Sequence, residues 1–291
     1  MDFNEKYGSY LNEFNAKLTD FCNGIDCRPE VLRDSLKYSL ELGGKRIRPV
    51  LCLATADMLG LERRKALPFA LAIELIHTYS LIHDDLPEMD DDDFRRGKPS
   101  NHKVFGVGNA VLAGDGLLNT AYSVLLKECR KGAEYISAAE FICDCAGIYG
   151  MIAGQSADLL HENDNSFNEP TLNFIYENKT GKLLTAPVVV PAILSGGRCY
   201  SELKAFGKDL GALFQITDDI LDVEGEFSAL GKSIGKDKEE GKYTSVALYG
   251  LDGAKLRADV LTERCCAVLE GIDGDRKFLI NLVNFVRNRK K

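Results

Sequence analysis

Histidine is scarce in this chain, with four among 291 residues, and the nine cysteines include no C-x-x-C pair. That combination argues against a zinc cluster. An odd number of thiols also makes a disulfide framework a poor reading. The cysteines are expected to be reduced and packed as small apolar residues, which suits a cytoplasmic protein. No uninterrupted apolar run approaches the ~18–20 residues of a membrane span, so no span is expected. The opening Met1-Asp2-Phe3-Asn4-Glu5 lacks a basic segment followed by an apolar one, so no secretory leader is expected either. Strand-like alternation is rare, and neither a low-complexity linker nor a repeat of fixed period is evident. The formal net charge is -8. An acidic balance argues against a nucleic-acid partner, because a phosphate backbone needs a cationic footprint. Phosphorylated small molecules stay open, since basic clusters can sit within an acidic whole.

What is present is mainly helical. Apolar residues make up 45 % of the chain, enough for a large core. Pro68 to His83 is apolar on nearly every side, as a central buried helix is. Phe206, Leu210, Leu213, Phe214 and Leu221 recur at spacings of three and four, which predicts a helix over 206–223. Leu117 to Arg130, Ala138 to Met151 and Leu256 to Leu269 predict three more. Val188 to Ile193 reads as helix or strand, with Pro187 and Pro191 against a central strand. Glycine-rich loops are predicted at 42–44, 96–99, 106–108, 163–170, 195–197 and 231–241. The sum is an all-α single domain over 1–291 with roughly ten or more helices of ordinary length.

Two acidic clusters carry the chemistry. Asp84-Asp85-Leu86-Pro87-Glu88-Met89-Asp90-Asp91-Asp92-Asp93 follows the central helix directly. So many carboxylates repel one another unless cations neutralise them, and oxygen donors beside phosphates suit magnesium. An ideal helix would set Asp84 and Asp90 ~240° apart. Pro87 also disfavours helix at Leu86. The helix is therefore expected to end near Asp85, with Asp90 folding back toward Asp84. Taken alone, this run reads as a solvated acidic loop. Asp218, Asp219 and Asp222 change the balance, because they interrupt another apolar helix. Asp218 and Asp222 share a face, which Gln215 joins. Carboxylates there are costly to bury without cations. Two such clusters favour one shared metal–diphosphate site.

Basic loops offer the complementary charge. Gly43-Gly44-Lys45-Arg46-Ile47-Arg48-Pro49 combines close backbone approach with a helix start. Arg95 and Arg96 follow the first acid cluster, and Lys179-Thr180-Gly181-Lys182 adds a third group. Lys232, Lys236 and Lys242 belong to a glycine-rich loop that does not match a P-loop. His77 lies ~20° around an ideal helix from Asp84, so a core role and a phosphate contact are about equally supported.

With these residues in hand, the chain resembles the trans-isoprenyl diphosphate synthases. Ile76 to Pro87 with Met89-Asp90 is similar to the first aspartate-rich motif of that family, in the form with two extra residues. Phe214-Gln215-Ile216-Thr217-Asp218-Asp219-Ile220-Leu221-Asp222 is similar to the second. The basic loops match in order, and the likeness runs from about Leu32 to Lys242. One departure is Ala153-Gly154-Gln155, where a second glycine is common, and little effect is expected. The resemblance implies an isoprenoid synthase fold, with antiparallel helices around a deep central cavity, and a homodimer. It implies that Asp84, Asp90 and Asp218 hold about three Mg2+ ions with the allylic diphosphate. Asp85, Asp219 and Asp222 would support them. Lys45, Arg48, His77 and Arg96 would bind isopentenyl diphosphate. Arg95, Lys179, Gln215, Lys232 and Lys242 would bind the allylic diphosphate, and Thr180 would steady the allylic cation.

Chain length is the finer question. Tyr79 lies ~7.5 Å back along a helix from Asp84, where a ring can stop a growing chain. It is also ~140° around that helix, whereas Ser80 is ~40° away and leaves room. In the resembling family an aromatic residue here goes with C15 products, so farnesyl diphosphate is the expected product. A geranylgeranyl or longer-chain synthase shares these motifs. A terpene cyclase would not need Lys45, Arg48 and Arg96, and a catalytically dead regulatory subunit would not need both aspartate motifs.

Overall fold

The computed structural model describes residues 1–161, 168–224 and 243–289. Its architecture is all-α: thirteen α-helices among the described residues, one short hairpin and no other strand. In chain order the helices are α1 (Phe3–Asn23), α2 (Glu30–Glu41), α3 (Ile47–Met58), α4 (Arg63–Asp84), α5 (Asn101–Phe105) and α6 (Val107–Glu128). Then come α7 (Ala133–Ala146), α8 (Met151–Leu160), α9 (Glu169–Ile175), α10 (Lys182–Leu194), α11 (Tyr200–Glu224), α12 (Ser245–Glu270) and α13 (Lys277–Arg287). The hairpin pairs β1 (Phe94–Arg95) with β2 (Lys98–Pro99) across Arg96 and Gly97. Both turn residues have positive φ, 55° and 75°, the geometry a two-residue hairpin favours.

The layering follows from which helices are apolar all round. In α10 every residue from Leu183 to Ala192 is buried, and α3 and α4 are buried along most of their lengths. Such helices satisfy their backbone internally and gain most from leaving water, so they occupy the centre. α10 touches α3, α4, α7 and α11, while α4 also lies along α6. The outer helices bury one stripe only. In α13 that stripe is Phe278, Leu279, Leu282, Val283 and Val286, at the three- and four-residue spacing of a single face.

The apolar run with Pro187 and Pro191, readable in the sequence as helix or strand, is helix throughout, because the packing of an entirely buried segment outweighs two missing N–H donors. Two differences from expectation have physical causes. The helix expected over Ala138–Met151 breaks instead between Ala146 and Met151. A Cβ on Gly150 would sit 2.2 Å from the Cys145 carbonyl oxygen, so that turn needs glycine. Finally, α4 and the stretch Ala133–Leu160 are long and apolar enough by composition to cross a membrane. For α4 the explanation is its central place, since 67 % of its apolar window is buried inside the molecule.

Candidate active site

α4 ends at Asp84, with Asp85 as its C-terminal cap. The chain then turns back on itself, and the Asp90 amide donates to the Asp84 carbonyl at 2.8 Å. The return expected from Pro87 thus occurs, and it sets Asp90 beside Asp84. On α11, Asp218 faces the same space. Asp84, Asp218, Lys179, Thr180, Gln215, His77 and Arg48 all line one cavity of about 510 Å³. Met89, Met151, Ile152, Leu159 and Phe214 extend its wall in apolar fashion, and Tyr79 and Ser80 belong to it too.

Lys179 and Thr180 reach this cavity from Tyr176–Gly181, a single wide turn of π-helix between α9 and α10. Such turns are uncommon and cluster at functional sites. Here the widened turn is held by close backbone contact. A Cβ on Gly154 of α8 would lie 2.0 Å from the Lys179 amide nitrogen, so Gly154 alone permits the approach. In Ala153-Gly154-Gln155 the glycine retained is therefore the one that geometry requires. Lys179 forms an ion pair with Asp158. Thr180 Oγ1 donates to Gln215 Oε1 at 2.8 Å, and Gln215 donates to Asp219 at 3.2 Å.

A second cavity of about 370 Å³ adjoins the first and shares Arg48, His77, Leu81 and Phe214 with it. Its other lining includes Lys45, Arg46, Arg95 and Arg96. Arg96 lies across the glycine turn. A Cβ on Gly44 would be 2.6 Å from its guanidinium carbon, and the side chain donates to the Gly43 carbonyl. Arg95, expected with Lys179 among the residues for the allylic diphosphate, lines the Lys45 cavity and is paired with Asp85 and, at 3.1 Å, with Asp92. Lys232 and Lys242 lie outside the described residues.

The electrostatics of the two sides are opposite and complementary. Burial pushes the Asp84 carboxyl up to about 6, with Asp90 adding to the rise and Lys179 opposing it. Burial pushes Asp219 up to about 7, even though Tyr176, Ser245 and Gln215 all donate to it. Oδ1 of Asp222 is buried with no hydrogen-bond partner. At Asp84 and Asp219 the positive and hydrogen-bonding neighbours do not offset burial. On the other side, burial and then the neighbouring Arg96 lower Arg48 to about 10, relieved in part by Glu74. Its Nε is buried without a partner. Burial and four arginines hold His77 well below its ordinary value, hence neutral. These groups lack negative charge. A hard dication bridged to a diphosphate would supply both deficits, so the donor set fits such a pair.

Several participants were missed in the sequence, and most left no short-range signal. Arg289 reaches back from beyond α13, pairing with Asp218 at 2.8 Å, donating to the Phe214 carbonyl at 2.7 Å and stacking 3.9 Å over the Phe214 ring. Tyr176 and Ser245 clamp Asp219, the Ser245 amide at 2.7 Å and its hydroxyl at 2.8 Å. Glu74, an isolated carboxylate inside the apolar α4, pairs with Arg46 at 2.7 Å behind the glycine turn. Its lone charge among apolar neighbours was a readable signal.

Helices of this kind around two adjoining cavities, one with both carboxylates and cations and one basic, define a protein that handles charged small molecules against an apolar wall. The chain belongs to the polyprenyl synthetase family, whose model matches residues 29–267. It is 44 % identical to the farnesyl diphosphate synthase of Geobacillus stearothermophilus, over 90 % of this chain and 89 % of that one. It is 42 % identical to the chloroplastic geranylgeranyl pyrophosphate synthase of Capsicum annuum, over 90 % of this chain and 72 % of that one. Its fold matches a Helicobacter pylori geranyltransferase solved with magnesium and isoprenyl diphosphate, at TM-score 0.82 and 28 % identity, covering 97 % and 96 % of the two chains. The protein is accordingly a prenyltransferase with an all-α isoprenoid synthase fold.

Proposed function

We propose that this prenyltransferase joins isopentenyl diphosphate to dimethylallyl and then geranyl diphosphate, and releases farnesyl diphosphate. The observation that carries the reading is one cavity with Asp84 and Asp218 at its polar end and Tyr79 in its wall. The identities do not separate C15 from C20, since farnesyl and geranylgeranyl synthases match at 44 % and 42 %. Tyr79 therefore bears the assignment. Its ring is buried and meets His83 edge-on at 5.7 Å. His83 is braced in turn by the Val111 carbonyl at 3.0 Å. A stop built this way resists being pushed aside by a growing chain.

In this reading Asp84, Asp90 and Asp218 would hold magnesium, which when bound would neutralise charge on the leaving diphosphate. Lys179 and Gln215 line the allylic side with Asp84. The allylic C–O bond breaks with both electrons on the diphosphate oxygen, leaving a delocalised cation. Thr180 presents its oxygen to that cation. Lys45, Arg48, Arg96 and neutral His77 hold isopentenyl diphosphate in the adjoining basic cavity. Its double bond supplies the electron pair for the new C–C bond, and a proton then leaves to the departed diphosphate. The apolar wall keeps water from the cation. Asp85 and Asp219 act through their neighbours: Asp85 fixes Arg95, and Asp219 ties α11 to Tyr176 and Ser245, while Asp222 adds a buried, unpartnered carboxylate oxygen on the same helix. The working unit is taken as a cytoplasmic homodimer of one-domain chains. Nine free cysteines and the exposed Leu112, Leu126 and Tyr149 support that view.

Replacing Tyr79 by alanine tests the reading. The variant should still ionise allylic substrate but release C20 and longer products. An unchanged product distribution would remove Tyr79 as the stop and leave C15 without its main support.

A further inference from the structure

Beside the acidic turn, but lining neither cavity, is a group of residues that the reaction leaves unused. Carboxylate oxygens of Asp91 and Asp93 and a ring nitrogen of His102 all lie within 4.8 Å of one another. Asp91 and Asp93 are exposed, whereas His102 is 6 % exposed. Two exposed acids would by themselves be ordinary surface. The histidine is not ordinary. Its Nδ1 is 3.2 Å from Ser100 Oγ, and its Nε2 is buried with no hydrogen-bond partner. A buried imidazole nitrogen without a partner forfeits the hydrogen bond it would make in water. Asp91 also adopts φ 46°, a strained backbone for a non-glycine residue.

We propose that Asp91, Asp93 and His102 form a second cation site, separate from the catalytic carboxylates and suited to a transition-metal dication such as Zn2+ or Mn2+. One imidazole and two carboxylates make a mixed N/O donor set, which favours those ions over Mg2+ with its preference for oxygen. The three ligands come from the acidic turn, the start of the hairpin and α5. An ion there would fasten the turn that carries Asp90 to the base of the hairpin that carries Arg95 and Arg96. Lys103 pairs with Asp93 at 2.6 Å and competes for the same carboxylate. Its ammonium must yield when an ion binds.

The test uses the full chain, stripped with chelator, in an Asp84→Asn/Asp218→Asn background that disables the catalytic carboxylates. Cobalt(II) is the probe, followed by its visible absorption and by calorimetry. One equivalent should bind with the bands of a low-symmetry nitrogen–oxygen site. Asp91→Asn, an exposed change that leaves the fold alone, should weaken it at least tenfold. His102→Gln should do the same, and Lys103→Gln should tighten binding severalfold. The proposal is overturned if the background protein binds no cobalt, or if Asp91→Asn leaves the affinity and the absorption bands untouched.

Discussion

Metal-free Asp219 should make the protein less stable as pH rises. Its carboxyl sits at about 7 in the fold because burial outweighs its hydrogen bonds, against about 3.9 in an unfolded chain. A raised acid stabilises the fold fully below the unfolded value, and that stabilisation is lost as pH climbs through the folded one. At about 1.4 kcal/mol per pKa unit, Asp219 contributes about 3 kcal/mol more at pH 5 than at pH 8. Asp84, pushed up to about 6, acts in the same direction. His77 acts against both, since a histidine held neutral by burial and by its arginine neighbours loses stability as pH falls. The clean measurement is thus a difference. Urea unfolding in chelator at pH 5 and pH 8 would be compared between the native chain and Asp219→Asn. The native midpoint should fall by about 1 M more than the variant midpoint, taking a slope of about 3 kcal/mol per molar. Equal pH dependence in the two proteins would refute the idea that Asp219 is short of positive charge.

Other outcomes follow from the same geometry. Asp84→Ala or Asp218→Ala should each lower turnover by about 10²-fold or more, as losing a major electrostatic element does, and steady-state rates with excess magnesium would show it. Arg48→Ala should weaken isopentenyl diphosphate by about 1.5–3 kcal/mol while sparing the allylic substrate, read from the separate KM values. Gly154→Ala should destabilise the protein by about 1–3 kcal/mol in urea, because its methyl group would meet the Lys179 backbone. Arg289→Met removes the cation that occupies Asp218 at 2.8 Å. The magnesium concentration for half-maximal rate should then fall about fivefold, the equivalent of about 1 kcal/mol for a modest ion pair.

Much of the site was readable because its key residues are local. The end of α4 at Asp84 follows from Pro87, and the shared face of Gln215 and Asp218 follows from helical spacing. The apolar character of α4 likewise marked the centre of the fold. What was not readable depends on distant contacts. Nothing near Arg289 in the chain announces Phe214 and Asp218, which are more than seventy residues away. The π-turn that presents Lys179 exists because α8 and α11 approach it at Gly154 and Gly211, a fact of packing rather than of local propensity. The partners of the two adjacent arginines are likewise set by the fold: Arg95 meets Asp85, while Arg96 reaches the Gly43 carbonyl.

The most direct test is to supply the purified chain with magnesium, isopentenyl diphosphate and dimethylallyl diphosphate, and to resolve the products by chain length. The account predicts farnesyl diphosphate as the main product, with geranyl diphosphate accepted as an intermediate and no product in excess chelator. A main product of C20 would contradict the assignment of Tyr79, and turnover that persists in chelator would contradict the metal–diphosphate site itself.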